Sequence, residues 1–310
     1  MSPRKIVVLG TGGTLAGAAA SPQDNLGYAA GQIGIGELLA RIPALRGMPL
    51  EIEQVAQIDS KDMSFEIWRA LALRCAHWLA RDDVAGVVIG HGTDTLEETA
   101  FLLQSVLAPA KPVVLTCAMR PATALVADGP QNLLDAVAVA GTSGARGVVA
   151  VCAGTIHSAV NVSKQHTYRL DAFTSGDAGP IGYVEEGAVR QLRAWPDQPA
   201  LAGALDRLAG AVRWPRVEIV MSHAGAGAAA AEALVAHGVD GLVVAATGNG
   251  TVHHELEAVL LRARDAGLRV VRATRCAQGR VQTTPHDTLP HAGALSPVKA
   301  RIALLLERLA

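Results

Sequence analysis

Seven short apolar runs, each followed by a segment patterned for a helix, limit the folds open to this chain more than any other feature. They are Ile6–Leu9, Val84–Ile89, Val113–Cys117, Val148–Cys152, Val217–Met221, Leu242–Ala245 and Val270–Ala273. Their apolar residues are continuous, not alternating, so both faces of each strand must be covered, as in a parallel sheet between layers of helices. The alternation predicts an α/β fold on a mostly parallel, doubly wound sheet. The rhythm stops between about Gly187 and Arg216, where Trp195-Pro196-Asp197-Gln198-Pro199 and Trp214-Pro215 suit neither strand nor helix. We therefore expect a larger N-terminal α/β domain over 1–190, a linker over 191–215 and a smaller C-terminal α/β domain over 216–310. With 310 residues, half of them hydrophobic, there is material for two cores.

Helix starts are legible beside the strands. Thr95-Leu96-Glu97-Glu98 has the spacing of a capping box, in which the threonine hydroxyl accepts an N–H three residues on. Asp128 before Gly129-Pro130, Ser296 before Pro297, and Ser64 before Phe65–Ala80 are further candidate caps.

Charge and composition exclude several partners. A formal net charge of -1 and the lack of any dense Lys/Arg run give no footprint for nucleic acid. The longest alanine-rich stretch, Ala224 to Ala246, is interrupted by Glu232, His237 and Asp240, so no membrane-spanning helix is expected. Met1 to Lys5 lead straight into Ile6–Leu9, which leaves no space for a leader. Cys75, Cys117, Cys152 and Cys276 form no CxxC and are read as buried free thiols. Reduced cysteines favour the cytoplasm, with a periplasmic site open if a leader had been removed.

The chemistry should lie beyond the carboxyl ends of the strands, near the point where strand order reverses. Two threonine-bearing glycine loops stand at such ends, GTGGT at Gly10–Thr14 and HGTDTLEET at His91–Thr99, with polar loops at Gln57–Met63 and His157–Lys164. A dinucleotide fingerprint would need a third glycine where Leu15 stands. His253-His254-Glu255 is not HExxH, because Ala258 occupies the second histidine position, so no metal is expected. Either threonine alone serves equally well as a helix cap. Together they suggest hydroxyl nucleophiles, which need a neighbouring base because a hydroxyl is protonated at neutral pH; Lys164 and Asp94 would relay a proton through Thr93 if the fold joins them.

These segments resemble the bacterial-type L-asparaginases. GTGGTLAG at Gly10–Gly17, QIDSKDM at Gln57–Met63 and VVIGHGTDTLEETA at Val87–Ala100 carry the likeness. It continues through Cys117–Val137, Gly179–Val184, Ala246–Thr251 and Leu295–Arg301, nearly end to end. The resemblance implies hydrolysis of L-asparagine to L-aspartate and ammonia through an acyl-enzyme, without a cofactor. By motif, Thr14 is the nucleophile, assisted by Tyr28 in a lid at Asn25–Gly31, while Thr93, Asp94 and Lys164 form the second catalytic group, with Lys164 as base. Ser60 would hold the substrate α-carboxylate and Asp94 its α-ammonium, and N–H groups near Gly13 and Thr93 would form the oxyanion hole. The same resemblance implies a homotetramer whose sites are completed across an intimate dimer.

Several positions depart from the family pattern. Lys61 stands where many members have glutamine beside the substrate amine, and Thr251 where a neighbouring subunit often supplies asparagine or serine. Gly90 replaces a threonine, and Arg280–His291 offers only Asp287 for the partner-subunit glutamate of some members. Three alternatives stay open: a glutamine-preferring or dual hydrolase, the amidase subunit of a tRNA-dependent amidotransferase, and a catalytically silent amino-acid-binding protein. The amidotransferase subunit carries an extra domain before the first motif, which here starts at Gly10.

Overall fold

The computed structural model describes residues 4–309; the start of the N-terminal segment, Met1–Pro3, and the final Ala310 lie outside the described residues. The chain divides into two units, Met1–Leu205 and Asp206–Ala310. In the first, the leading apolar run becomes β1 (Lys5–Gly12), with Val7, Val8 and Leu9 fully buried. It is joined by β2 (Leu50–Ile58), β3 (Val84–Gly90), β4 (Val113–Thr116), β5 (Val148–Cys152) and β6 (Thr155–Ser158). A separate two-stranded ladder pairs β7 (Ser163–Lys164) with β8 (Phe173–Thr174), and β9 (Gly182–Glu185) and β10 (Ala188–Gln191) return to the main sheet.

The sheet runs β10-β9-β6-β5-β4-β3-β1-β2. β1 to β5 pair in parallel, and β6, β9 and β10 add antiparallel strands at one side. Val8, Val88, Val114 and Val149 lie opposite one another across the four central strands and are fully buried. That row packs into one cluster with residues of α1 (Ile35–Ala40) and, after α2 (Phe65–Leu79) and α3 (Leu96–Leu107), of α4 (Gly129–Gly141). α2 packs on β2 and β3, and α3 on β5. Burial of each valine is worth about 1.5–3 kcal/mol, which explains why these runs are apolar on both faces.

β1 is the topological pivot. Its first successor, β2, lies on one side and β3 on the other, so the direction of sheet growth reverses between them. Gly10 of β1 faces Gly90 of β3, and the two threonine loops leave the sheet side by side.

The second unit has a parallel sheet, β11 (Val217–Met221), β12 (Gly241–Ala246) and β13 (Arg269–Thr274), in that order. Its core joins Val220, Leu242, Val244 and Val270 to apolar residues of its helices, among them Ala231, Leu256 and Leu260. These lie on α6 (Ala229–Ala236) and α7 (His254–Asp265); α8 (Pro297–Arg308) packs on all three strands. Between the sheets, in the stretch whose composition suits neither element, the structure has the short helix α5 (Ala204–Gly210).

Four local expectations are corrected. Ser64 caps α2 through Ile67 N–H at 3.3 Å, but Thr95 makes no side-chain cap for α3. Its hydroxyl donates instead to the Ser60 carbonyl at 2.8 Å, because the loop after β2 passes beside it. Asp128 and Ser296 also make no side-chain cap bond; Asp128 turns back to accept the N–H groups of Met119 and Arg120 at 2.9 and 3.0 Å. Of the cysteines, Cys75, Cys117 and Cys152 are buried but Cys276 is exposed.

Candidate active site

β1 ends in two glycines whose conformation only glycine adopts readily, with φ of 104° at Gly12 and 77° at Gly13. A Cβ on Gly13 would stand 2.3 Å from Gly92 Cα, so the two threonine loops touch backbone to backbone. A Cβ on Gly92 would in turn meet Ser60 Oγ at 2.5 Å. Three strand-end loops are thereby fused at one point.

Thr14 begins a single 3-10 turn and is 6% exposed. Its Oγ1 lies 2.6 Å from the Tyr28 hydroxyl. Tyr28 is delivered by the segment between that 3-10 turn and α1: Ala18 and Ala29 exchange backbone bonds at 2.9 and 3.0 Å, and Gly31 N–H donates to Gly13 O at 3.1 Å. The bend before the tyrosine is set by Asp24, whose Oδ1 accepts from Leu26 and Gly27 N–H at 2.9 and 2.6 Å. Gly17 leaves room for the ring, since a Cβ there would sit 2.8 Å from Tyr28 Cδ2.

Thr93, equally buried, has a different partner. Lys164 Nζ donates to Thr93 Oγ1 and to Asp94 Oδ1, both at 2.7 Å. Lys164 reaches this place from β7, where its own N–H donates to Glu97 Oε1 at 3.3 Å. The lysine side chain is 20% exposed and the Asp94 side chain 50%, so the carboxylate faces outward while the ammonium is held behind it. Ser60 is buried and its hydroxyl accepts Asp94 N–H at 3.1 Å, which leaves the hydroxyl proton available to a substrate.

Beneath the second loop lies a polar chain the sequence reading did not single out. Trp68 Nε1–H donates to Thr99 Oγ1 at 2.9 Å, and Thr99 Oγ1 lies 2.9 Å from His91 Nε2. His91 Nδ1 is 2.7 Å from the Gly92 carbonyl, which accepts only, so Nδ1 carries the proton and Thr99 donates to Nε2. Burial lowers the His91 pKa to about 4, against the raising effect of the Gly92 bond, and the ring is neutral at pH 7. The only hint in the sequence was spacing: Thr99 lies one helical turn after Thr95, on the side of α3 that faces α2.

The remaining expected residues are placed differently. Gly13 N–H donates to Ile58 O at 2.7 Å, so this glycine supplies close packing and not an amide donor for an oxyanion. Lys61 is exposed and its Nζ pairs with Asp62, which raises its pKa; the side chain makes no bond to Asp94. Thr251 belongs to the second unit, where its hydroxyl bonds Thr247 Oγ1 at 2.8 Å across a tight turn. Thr14, Tyr28, Ser60, Thr93, Asp94 and Lys164 all belong to the first unit. Among the described residues, no group of three or more His, Cys, Asp or Glu is placed to hold a metal ion.

Comparison with known proteins covers nearly the whole chain. Residues 5–196 match the family described as asparaginase, N-terminal, and residues 216–307 match the glutaminase/asparaginase C-terminal domain. The chain is 36% identical to L-asparaginase 2 of Bacillus subtilis, over 97% of this chain and 81% of that one. It is also 36% identical to a glutaminase-asparaginase of Pseudomonas fluorescens, over 97% and 85% respectively. Among solved structures, a probable cytoplasmic L-asparaginase from Campylobacter jejuni superposes with a TM-score of 0.91 at 39% identity, covering 98% of this chain and 94% of that one.

Proposed function

The chain belongs to the asparaginase family, and from that premise we propose that it hydrolyses the side-chain amide of L-asparagine to L-aspartate and ammonia. The observation that carries this reading is the meeting of two buried hydroxyls, Thr14 and Thr93, each with its own proton partner, on loops joined through Gly13 and Gly92. Thr14 Oγ attacks the amide carbon while its proton moves toward Tyr28, 2.6 Å away. The C–N bond then breaks, ammonia leaves with that proton, and the acyl group stays on Thr14. Water passes a proton through Thr93 to Lys164 as Lys164 passes one of its own to the Asp94 carboxylate, the hydroxide attacks the ester, and the proton returns to Thr14 as aspartate departs.

Substrate orientation follows from charge. The Asp94 carboxylate takes the α-ammonium and the Ser60 hydroxyl proton the α-carboxylate. Thr93 N–H, which no carbonyl among the described residues takes up, is the donor we assign to the oxyanion in place of Gly13. Lys61 acts as a rim cation and Thr251 as a contribution from a partner subunit in a homotetramer. We place the protein in the cytoplasm, as with its Campylobacter relative.

A dual asparaginase-glutaminase is the second reading, favoured by equal identity to the Bacillus asparaginase and the Pseudomonas glutaminase-asparaginase. One methylene changes pocket binding by only about 1–3 kcal/mol. Ammonia release from L-asparagine, D-asparagine and L-glutamine, measured side by side, separates the cases. We expect L-asparagine to lead. Glutamine turnover of equal kcat/KM would shift the assignment to the dual enzyme, and no release above background would reject both.

A further inference from the structure

The loop between β4 and α4, residues 117–128, runs beside the first half of the segment that carries Tyr28. Three hydrogen bonds join the two. Ala122 N–H donates to Gly17 O at 2.9 Å, Ala19 N–H to Thr123 Oγ1 at 2.8 Å, and Leu125 N–H to Pro22 O at 3.0 Å. The outer two are backbone bonds that most residues could make. The middle one needs the hydroxyl of half-buried Thr123.

The loop is itself fixed to the frame of the first unit. Buried Asn132, on α4, donates through Nδ2 to Cys117 O at 2.9 Å and to Asp128 Oδ2 at 3.3 Å. Its Oδ1 accepts Ala153 N–H at 3.0 Å, just past the end of β5. Thr123 therefore stands on a loop tied at its base to β4, β5 and α4. Ala19, which its hydroxyl holds, adjoins Ala18; Ala18 exchanges backbone bonds with Ala29, and Ala29 adjoins Tyr28. On the other side of Tyr28, the Gly31 carbonyl accepts Gln57 Nε2–H at 2.6 Å.

We propose that Thr123 is a positioning residue for the amide reaction: its hydroxyl holds Ala19, and through Ala18 and Ala29 it keeps the Tyr28 phenol on Thr14 Oγ1. The proposal rests on the roles assigned above to Thr14 and Tyr28. A proton passes between those two oxygens only at hydrogen-bond distance, 2.6 Å here, and a displacement of about 1 Å costs up to about 100-fold in rate. Removing the Thr123 acceptor also leaves the Ala19 N–H without its partner, which favours conformations that turn it to water. Ser60 and Asp94, which orient the substrate, lie on the loops after β2 and β3, so the effect falls on kcat and not on KM.

The test combines steady-state ammonia release from L-asparagine with amide hydrogen exchange of the full chain, for the parent, Thr123→Val and Thr123→Ser. Valine keeps the branched shape and removes the acceptor, whereas serine keeps the acceptor. We expect Thr123→Val to lower kcat by about tenfold or more with KM within about twofold of the parent. Exchange over residues 18–31 should quicken by about fivefold or more, with β1 and α4 unchanged. Thr123→Ser should match the parent within about twofold in both readouts. Unchanged kcat in the valine variant would overturn the proposal. So would a rise in KM with kcat intact, a serine variant as slow as the valine one, or parental exchange over residues 18–31. Exchange needs no turnover: a parent that released no ammonia would sink the amide assignment, and exchange alone would still decide whether Thr123 holds the segment.

Discussion

Thr14 and Thr93 are chemically the same side chain, and their neighbours divide the work between them. A phenol at 2.6 Å can shuttle a proton during attack, whereas a lysine nitrogen at 2.7 Å that also reaches a carboxylate can take up a proton through Thr93 as it passes one of its own to Asp94. Neither hydroxyl supports an element: Thr14 makes no cap bond, and Thr93 stands outside any helix. Thr14→Ala and Thr93→Ala should therefore each abolish ammonia release and leave the thermal midpoint within about 3 °C of the parent, the span of a change of about 1 kcal/mol. Near-normal turnover in either variant would remove its assigned role. His91 makes a different prediction. Its pKa falls from 6.5 to about 4 in the fold, so between those values the unfolded chain binds a proton that the native ring refuses. Stability from this group is complete above pH 6.5 and declines as pH falls toward 4, by about 3 kcal/mol in all. Urea melts at pH 4.5 and 7 should show a smaller difference for His91→Gln than for the parent; an identical difference would mean that the ring titrates freely.

At the scale of elements, the site depends on how closely three loops can approach. Gly92 has an ordinary φ, so Gly92→Ala introduces no backbone strain, only a methyl 2.5 Å from Ser60 Oγ and 3.0 Å from Gly13 Cα. The loops must separate, which displaces the Ser60 hydroxyl and Asp94 N–H together. We expect KM for asparagine to rise by about tenfold or more, equivalent to ~1.4 kcal/mol, with a loss of stability of about 1–3 kcal/mol. Steady-state kinetics with a parallel melt would check both, and an unchanged KM would show that Ser60 does not read the substrate. The same elements show what a sequence reveals and conceals. β1, β3, β4, β5 and the three strands of the second unit were legible because burial on both faces leaves an unbroken apolar run. β2, at the sheet edge, alternates glutamates with aliphatics, while β6, β9 and β10 are only four residues each and include His157, Glu185 and Arg190. No long apolar signal marks them. Candidate site residues were legible where a motif fixes both type and place, as at Thr14 and Asp94. The His91–Thr99–Trp68 chain was not, because it joins α2 to α3 through tertiary packing that spacing along one helix cannot reveal. Thr95 failed as a cap for the same reason, its hydroxyl being drawn to the neighbouring loop at Ser60.

For the whole molecule, the division of labour between units sets the sharpest remaining question. The first unit holds Thr14, Tyr28, Ser60, Thr93, Asp94 and Lys164, and the second holds Thr251 on a turn fixed by its own bonds. That turn is kept in shape by buried Arg272, whose Nη1 donates to Gly250 O at 3.0 Å, and by Thr274 Oγ1, which donates to Gly248 O at 2.7 Å. A rigid, exposed threonine is suited to completing a site on another copy of the chain, as the family resemblance implies. Mixing two inactive variants discriminates this arrangement from one in which each chain uses its own threonine. Thr14→Ala removes the nucleophile from the first unit, and Thr251→Arg blocks whichever site receives that turn. If sites are shared across a dimer, a mixed dimer joins an intact first unit from the Thr251 variant with an intact Thr251 turn from the Thr14 variant. One of its two sites is then whole. Co-refolding equal amounts should restore about one quarter of parental ammonia release, since about half of randomly formed dimers are mixed. If the turn serves its own chain, every site in every pairing carries a lesion. The mixture would then stay as inactive as its components, and the dimer-completed site would have to be given up.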